Sequence, residues 1–161
     1  VLNPKYVPGS SNWKTNREYA EYTSTSMTTY GKFDFQYGRL EVRAKIPTGK
    51  GAWPAIWTLG NWNDWPSCGE IDVLEYYLVG NEPHIFANTA WGTNQAWSAK
   101  WNTVKTKFSD FVARDADWAK KYHIWRMDWD DNEINLYVDD VLYNSTKQSQ
   151  TQNGSIGNYA P

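Results

Sequence analysis

The stretch Gly69–Tyr77, GEIDVLEYY, sets three carboxylates within six residues, at positions 70, 72 and 75. In a regular strand, Glu70 and Asp72 share one face and Glu75 takes the other. A helix would put Glu70 and Asp72 on different sides, and the flanking Trp, Pro and Gly residues do not support one. Ile71, Val73 and Leu74, interleaved with the acids, belong in a core. A β-bulge between Asp72 and Glu75 reconciles these demands: one extra residue restores phase, so all three acids face one side and their apolar neighbours the other. With that bulge the α-carbons of Glu70 and Glu75 lie roughly 13 Å apart, and side chains leaning together leave roughly 5 Å between carboxyls. That is the separation of about 5–5.5 Å expected where one carboxylate attacks an anomeric carbon and the other protonates the leaving oxygen, rather than the wider gap of an inverting pair. Acids this close repel, and partial burial adds to the effect, so at least one pKa must rise, as a general acid near neutral pH requires. Asp72, in the middle, would share a proton or hydrogen bond with a neighbouring Glu. The competing readings are a solvated acidic strand, which has no use for Ile, Val and Leu at this density, and a cation site, which draws on loops rich in Asp, Asn and Gly.

The elements that must position these acids read as strands. Gly38 to Ile46 alternates strictly, with Leu40, Val42, Ala44 and Ile46 on one face and Arg39, Glu41, Arg43 and Lys45 on the other, before Pro47 and TGKG end it. Trp53–Leu59, Gly69–Tyr77 and His84–Gly92 are further strands, and Tyr22–Thr29 is a polar run rich in Thr and Ser. The stretch YHIWRMDWDDNEINLYVDDVLYN predicts two or three short strands joined at Asp130-Asp131-Asn132 and at Asp139-Asp140. Only Phe108 to Lys121 looks helical. Many short strands, regular turns and no repeats predict an antiparallel β-sandwich or barrel.

Composition bounds the function. The chain of 161 residues is long enough for one domain with a sizeable core. Its 16 basic and 18 acidic residues give a net charge of -2 with no basic block, which argues against nucleic acid and anionic membranes as partners. No apolar run reaches membrane-span length and no signal peptide is seen, as expected for a mature secreted chain or a trimmed piece of one. The single Cys68 excludes an internal disulfide. Asn144-Ser145-Thr146 and Asn153-Gly154-Ser155 fit the glycosylation sequon. Beside 11 Tyr, the 11 Trp exceed what packing a small domain needs; either some are exposed, as flat apolar platforms suited to the C–H faces of sugar rings, or all serve core and belt.

GEIDVLE resembles the catalytic signature of glycoside hydrolase family 16 in its laminarinase-like form, with two residues between the Asp and the second Glu. YGRLEVRAKIPTGKGAWPAIWTLG, WPSCGEIDVLEYY, HIFANTAWG and YHIWRMDWDDNEINLYVDDVLY resemble the family's strands around it, so the likeness covers roughly Tyr22 to Tyr143. The resemblance implies an all-β, concanavalin-like jelly-roll sandwich of two antiparallel sheets, with the bulged catalytic strand on the concave face. It implies Glu70 as nucleophile, Asp72 as the assisting acid and Glu75 as acid/base. It implies endo-hydrolysis of β-1,3- or mixed β-1,3-1,4-glucan, outside the cell or in the periplasm, with agarase- or porphyranase-like galactan hydrolysis and a non-catalytic glucan-binding sandwich as rivals. No catalytic metal or cofactor is implied, although the family admits a structural calcium ion that the sequence does not place. The opening VLNPKYVPGSSNWK and the ending GSIGNYAP lack the family's usual terminal strands, so residues 1–161 are expected to be the central piece of a sandwich. The missing strands then belong either to a longer chain or to a second one.

Around the acids, Trp53 and Trp57 share one face with Ala55 between them. Either at least one stacks on sugar, or both fill the space between the sheets. Trp65, just before the signature, is expected in the cleft wall as a platform. Asn88 is either a cleft-lining polar group or a ladder residue, and Arg43 either reaches the cleft or stays on an exposed face. His84 and His123 are expected to be structural, since the carboxylates already supply the acid–base chemistry. A neutral glucan suits the lack of a basic cluster, whereas sulfated galactans call for Arg and Lys along the cleft.

Overall fold

The chain is described from a computed structural model, which places residues 5–10 and 20–161. Backbone contacts divide it into two units, residues 1–36 and 37–161. In the first, strands β1 (Lys5–Ser10) and β2 (Ala20–Thr23) pair antiparallel. The rest of the opening stretch up to Lys14 lies outside the described residues.

The second unit is a jelly-roll sandwich of two four-stranded antiparallel sheets. One has the order β4 (Ala55–Leu59), β5 (Glu70–Val79), β6 (Glu82–Gly92), β7 (Ala99–Lys107). The other runs β10 (Val141–Lys147), β9 (Glu133–Val138), β8 (His123–Trp129), β3 (Gly38–Ala44). Strict alternation places Leu40 and Ala44 of β3 against the core, while Ile134, Leu136 and Val138 of β9 are buried within it. Facing them, β5 contributes Ile71, Val73, Leu74 and Tyr76, and β6 contributes Ile85 and Ala87. Each large aliphatic side chain buried here is worth about 1.5–3 kcal/mol against exposure, so this two-sided burial fixes which face each strand shows to solvent.

The turns form where the sequence supplies the chemistry. Asp130 Oδ1 accepts from the backbone N–H of Asn132 and Glu133 at 2.8 and 2.9 Å, closing β8 onto β9. Asp139 and Asp140 both take positive φ, 49° and 63°, the backbone of a tight hairpin turn between β9 and β10. The helical stretch is shorter than Phe108 to Lys121: α1 covers Phe108–Arg114, and a 3₁₀ turn covers Trp118–Lys120. Asp115 breaks it, with an extended backbone and its Oδ1 accepting from Asp117 N–H at 3.1 Å.

β7 has no counterpart in the sequence reading. Its inward positions are Asn102, Val104 and Thr106, so a strand that packs mostly through polar groups carries no hydrophobic alternation. Asn102 Nδ2 donates instead to Ser145 O and Thr146 Oγ1, at 2.8 and 2.7 Å, across the seam with β10. The sequon at Asn144 is also corrected. Asn144 is buried and its Nδ2 donates to Ala87 O at 2.9 Å, so the amide that a glycan would need joins the two sheets. Among the described residues no helix is long and apolar enough to cross a membrane.

Candidate active site

The bulge lies where the spacing of the acids requires it. Between β5 and β6, Asp72 pairs with Asn88 and Glu75 with Phe86, so two intervening residues, Val73 and Leu74, oppose one, Ala87. Between β5 and β4, Leu74 pairs with Ile56 and Asp72 with Trp57, so Val73 is the extra residue. Val73 and Leu74 both turn into the core, and Glu75 returns to the face of Glu70 and Asp72. Core burial of two successive residues thus holds the acids in line.

Hydrogen bonds tie the three carboxyls together. Asn88 Nδ2 donates to Asp72 Oδ2 at 3.0 Å and to Glu75 Oε2 at 2.8 Å. Trp65 Nε1 donates to Glu70 Oε2 at 2.7 Å, and Trp53 Nε1 to Glu75 Oε1 at 3.0 Å. Asp72 hydrogen-bonds Glu70 as well, so the middle acid links both outer ones. Burial, reinforced by the charges of Glu75 and Glu70 and opposed by the Asn88 hydrogen bond, pushes the Asp72 carboxyl up to about 8. It therefore carries a proton near neutral pH and can donate it to Glu70. Burial also raises Glu75 above the usual glutamic acid range, helped by the Glu70 charge and opposed by the Trp53 indole N–H.

Each residue singled out in the sequence has a definite place. Trp53 and Trp57 are 68% and 51% exposed, so neither fills the space between the sheets. Trp65 stands against Glu70, and Asn88 is more than a ladder residue, since its side chain bridges two acids while its own Oδ1 is buried without a hydrogen-bond partner. Arg43 is corrected: it lies on the outward face of the other sheet with its guanidinium 4.3 Å from the Tyr122 ring centroid, remote from the acids. Outward alternation on β3 opposite Leu40 and Ala44 is the reason. His123 stacks on Trp118 at 3.8 Å, with its ring nitrogens at Asp139 and Trp118 O. His84 holds Glu82 O at 2.9 Å, and neither His touches the acids.

The register adds residues that the sequence reading missed. Trp101 of β7 pairs with Ala90, which pairs with Glu70, so Trp101 shares the open face and is 46% exposed. Tyr77 and Phe86 stack at 4.2 Å beside Glu75, and Trp53 leans on Tyr77 at 5.3 Å, forming an aromatic ledge at that end. Lys105 follows Phe86 on the same row. Recognising β7 as a strand would have found Trp101 and Lys105.

A bulged strand thus carries three linked carboxyls between exposed indoles. The profile of the glycosyl hydrolases family 16 matches residues 6–161, and the chain belongs to that family. A β-1,3-glucan-binding protein of Penaeus monodon is 42% identical over 126 residues, 74% of this chain and 34% of that protein. Among solved structures, one from work on the endo-acting O-glycanases that prominent members of the human gut microbiota express to initiate mucin breakdown superposes with a TM-score of 0.78. It is 32% identical, over 98% of this chain and 58% of that one. The laminarinase catalytic domain from Thermotoga maritima MSB8 superposes with a TM-score of 0.66 at 36% identity, over 81% of this chain and 51% of that one. The chain thus spans about a third to somewhat over half the length of these relatives.

Proposed function

We propose that the protein is a retaining endo-glycoside hydrolase acting on β-1,3-glucan or mixed β-1,3-1,4-glucan. The observation that carries this reading is the Val73 bulge, which aligns Glu70, Asp72 and Glu75 on one open face. Glu70 attacks the anomeric carbon while Glu75 gives its proton to the departing glycosidic oxygen, leaving a glycosyl ester on Glu70. Glu75, now a carboxylate, takes a proton from water, which attacks the same carbon and releases Glu70. Raised above the ordinary range, Glu75 suits the acid role. Protonated Asp72 steadies Glu70 through their hydrogen bond. Exposed indoles stand on both sides of β5, Trp57 on β4 and Trp101 on β7, which suits a chain bound across the strands and cut internally. A relative named for binding β-1,3-glucan and a solved structure named as a laminarinase favour the neutral glucan. This chemistry needs no metal or cofactor, and a polymeric glucan places the enzyme outside the cell or in the periplasm.

The rival is a glucan-binding sandwich without activity, favoured by the name of the Penaeus monodon relative. Binding alone has no use for three aligned acids, two of which, Asp72 and Glu75, are pushed up by burial. A reducing-sugar assay of the full-length protein on laminarin and lichenan, with a mucin O-glycan arm, decides between them. Early release of glucan oligosaccharides is expected. Binding without products would establish the rival, release of monosaccharide alone would rule out endo action, and cleavage confined to the mucin arm would overturn the glucan assignment.

A further inference from the structure

The second sequon, Asn153-Gly154-Ser155, is taken up by the fold in a way that bears on the site. Asn153 is 1% exposed. Its Nδ2 donates to Ser67 O, and its Oδ1 accepts from Gly92 N–H at 2.8 Å. A glycan would need that nitrogen in solvent, so the sequon is not a modification site. The segment around it closes on itself: Asn153 N–H donates to Asn158 O at 2.8 Å, Ala160 N–H to Thr151 O at 3.1 Å, and Gln152 bridges Tyr159. Thr151 and Ala160 are fully buried.

The partner of this buckle is the turn that precedes the acids. Cys68 N–H donates to Asp64 O and Gly69 N–H to Pro66 O, both at 3.1 Å, which leaves the Ser67 carbonyl turned towards Asn153. The junction has no spare room. A Cβ on Gly92 would stand 2.6 Å from both Asn153 Oδ1 and Ser67 Oγ, and one on Gly69 would stand 2.7 Å from Pro161 N. Trp65, two residues before Ser67, is the residue that donates to Glu70 at 2.7 Å.

We infer that Asn153 is a positioning residue for the active site: by clamping Ser67 to Gly92 at the end of β6, the 151–161 buckle holds the Trp65 indole against Glu70. The inference rests on the proposed role of Glu70 for its effect on rate, but not for its effect on Trp65. A buried amide that satisfies one donor and one acceptor on two different segments fixes both, and a displacement of about 1 Å near reacting groups can cost up to about a hundredfold in rate.

The test uses the full-length protein with Asn153→Ala, Trp65→Phe and the double variant, on laminarin. Asn153→Ala should lower kcat/KM about tenfold, and the double variant should be no worse than Trp65→Phe alone, because both changes remove the same contact. Losses that multiply, or a fallen Tm with unchanged kcat/KM, would overturn the inference. Hydrogen exchange of the Trp65 indole N–H by ¹⁵N NMR, assigned by its disappearance in Trp65→Phe, reads the clamp without substrate. Asn153→Ala should speed exchange at Trp65 and leave buried Trp125 as it was, whereas unchanged exchange at Trp65 would overturn the inference even if the wild type proved inactive. If Asn153→Ala does not fold, Gly92→Ala wedges the same junction and should give the same two readouts. An inactive wild type with accelerated Trp65 exchange would reject the glucanase reading and leave the clamp standing.

Discussion

The two sheets follow the same alternation, yet their solvent faces are built on opposite rules. On the outer face of β3–β8–β9, opposite charges meet. Arg39 holds Asp128 through two bonds of 2.6 and 3.0 Å, and Arg126 bonds Asp140 while its guanidinium lies 4.0 Å over the Tyr137 ring. On the open face of β4–β5–β6–β7, three carboxyls crowd together: Asp72 and Glu75 share one amide donor, Asn88, while Glu70 and Glu75 each accept from an indole N–H. The first arrangement lowers its own electrostatic cost locally. The second raises it, and pKa values displaced by burial and like charge in a cleft are the physical mark of a functional site.

Breaking the open face should have the largest consequences. Glu70→Ala and Glu75→Ala should each cost several orders of magnitude in kcat. They should part company with azide and an activated aryl glycoside: Glu75→Ala recovers in part and forms the β-glycosyl azide, while Glu70→Ala gives the α-product by direct displacement. The reverse stereochemistry would exchange the two roles.

Asp72→Asn should cost less activity than either and should stabilise the fold. Between the ordinary aspartic range and about 8, folded Asp72 holds a proton that the unfolded chain has released, so stability falls as pH rises through that window. Removing the group removes this loss. The Tm of the variant should therefore exceed that of the wild type most at and above about pH 8 and converge with it near about pH 4. A gain independent of pH would show that Asp72 titrates normally.

A subtler change sharpens the same contrast. Trp53 Nε1 lowers the Glu75 pKa, so Trp53→Phe should move the alkaline limb of kcat to higher pH, since the acid then keeps its proton longer. An alkaline limb unmoved, with only KM altered, would confine Trp53 to substrate contact. The smallest effect belongs to the other sheet. Arg39→Ala breaks an exposed pair, and urea denaturation should register little loss of stability, with no change in activity.

The three acids, their spacing and the bulge that spacing demands are legible in a linear sequence, because strand alternation is local and one extra residue must be inserted to keep Ile71, Val73, Leu74 and the acids on proper faces. The hairpin turns at Asp130 and Asp139 are equally local, written in side chains that bond their own backbone or accept positive φ. Tertiary structure alone decided the rest. Alternation puts Arg43 on the outer face of β3, but only the packing of two sheets shows which sheet that strand joins. Trp53 and Trp57 share a face in any strand, and only the fold shows that both are exposed on it. Asn144 and Asn153 read as glycan acceptors because a three-residue motif contains no information about burial, and both amides turn out to bond backbone carbonyls far away in the chain. β7 was illegible because its inward face is satisfied by hydrogen bonds to β10, partners forty residues on that no pattern of hydrophobicity records.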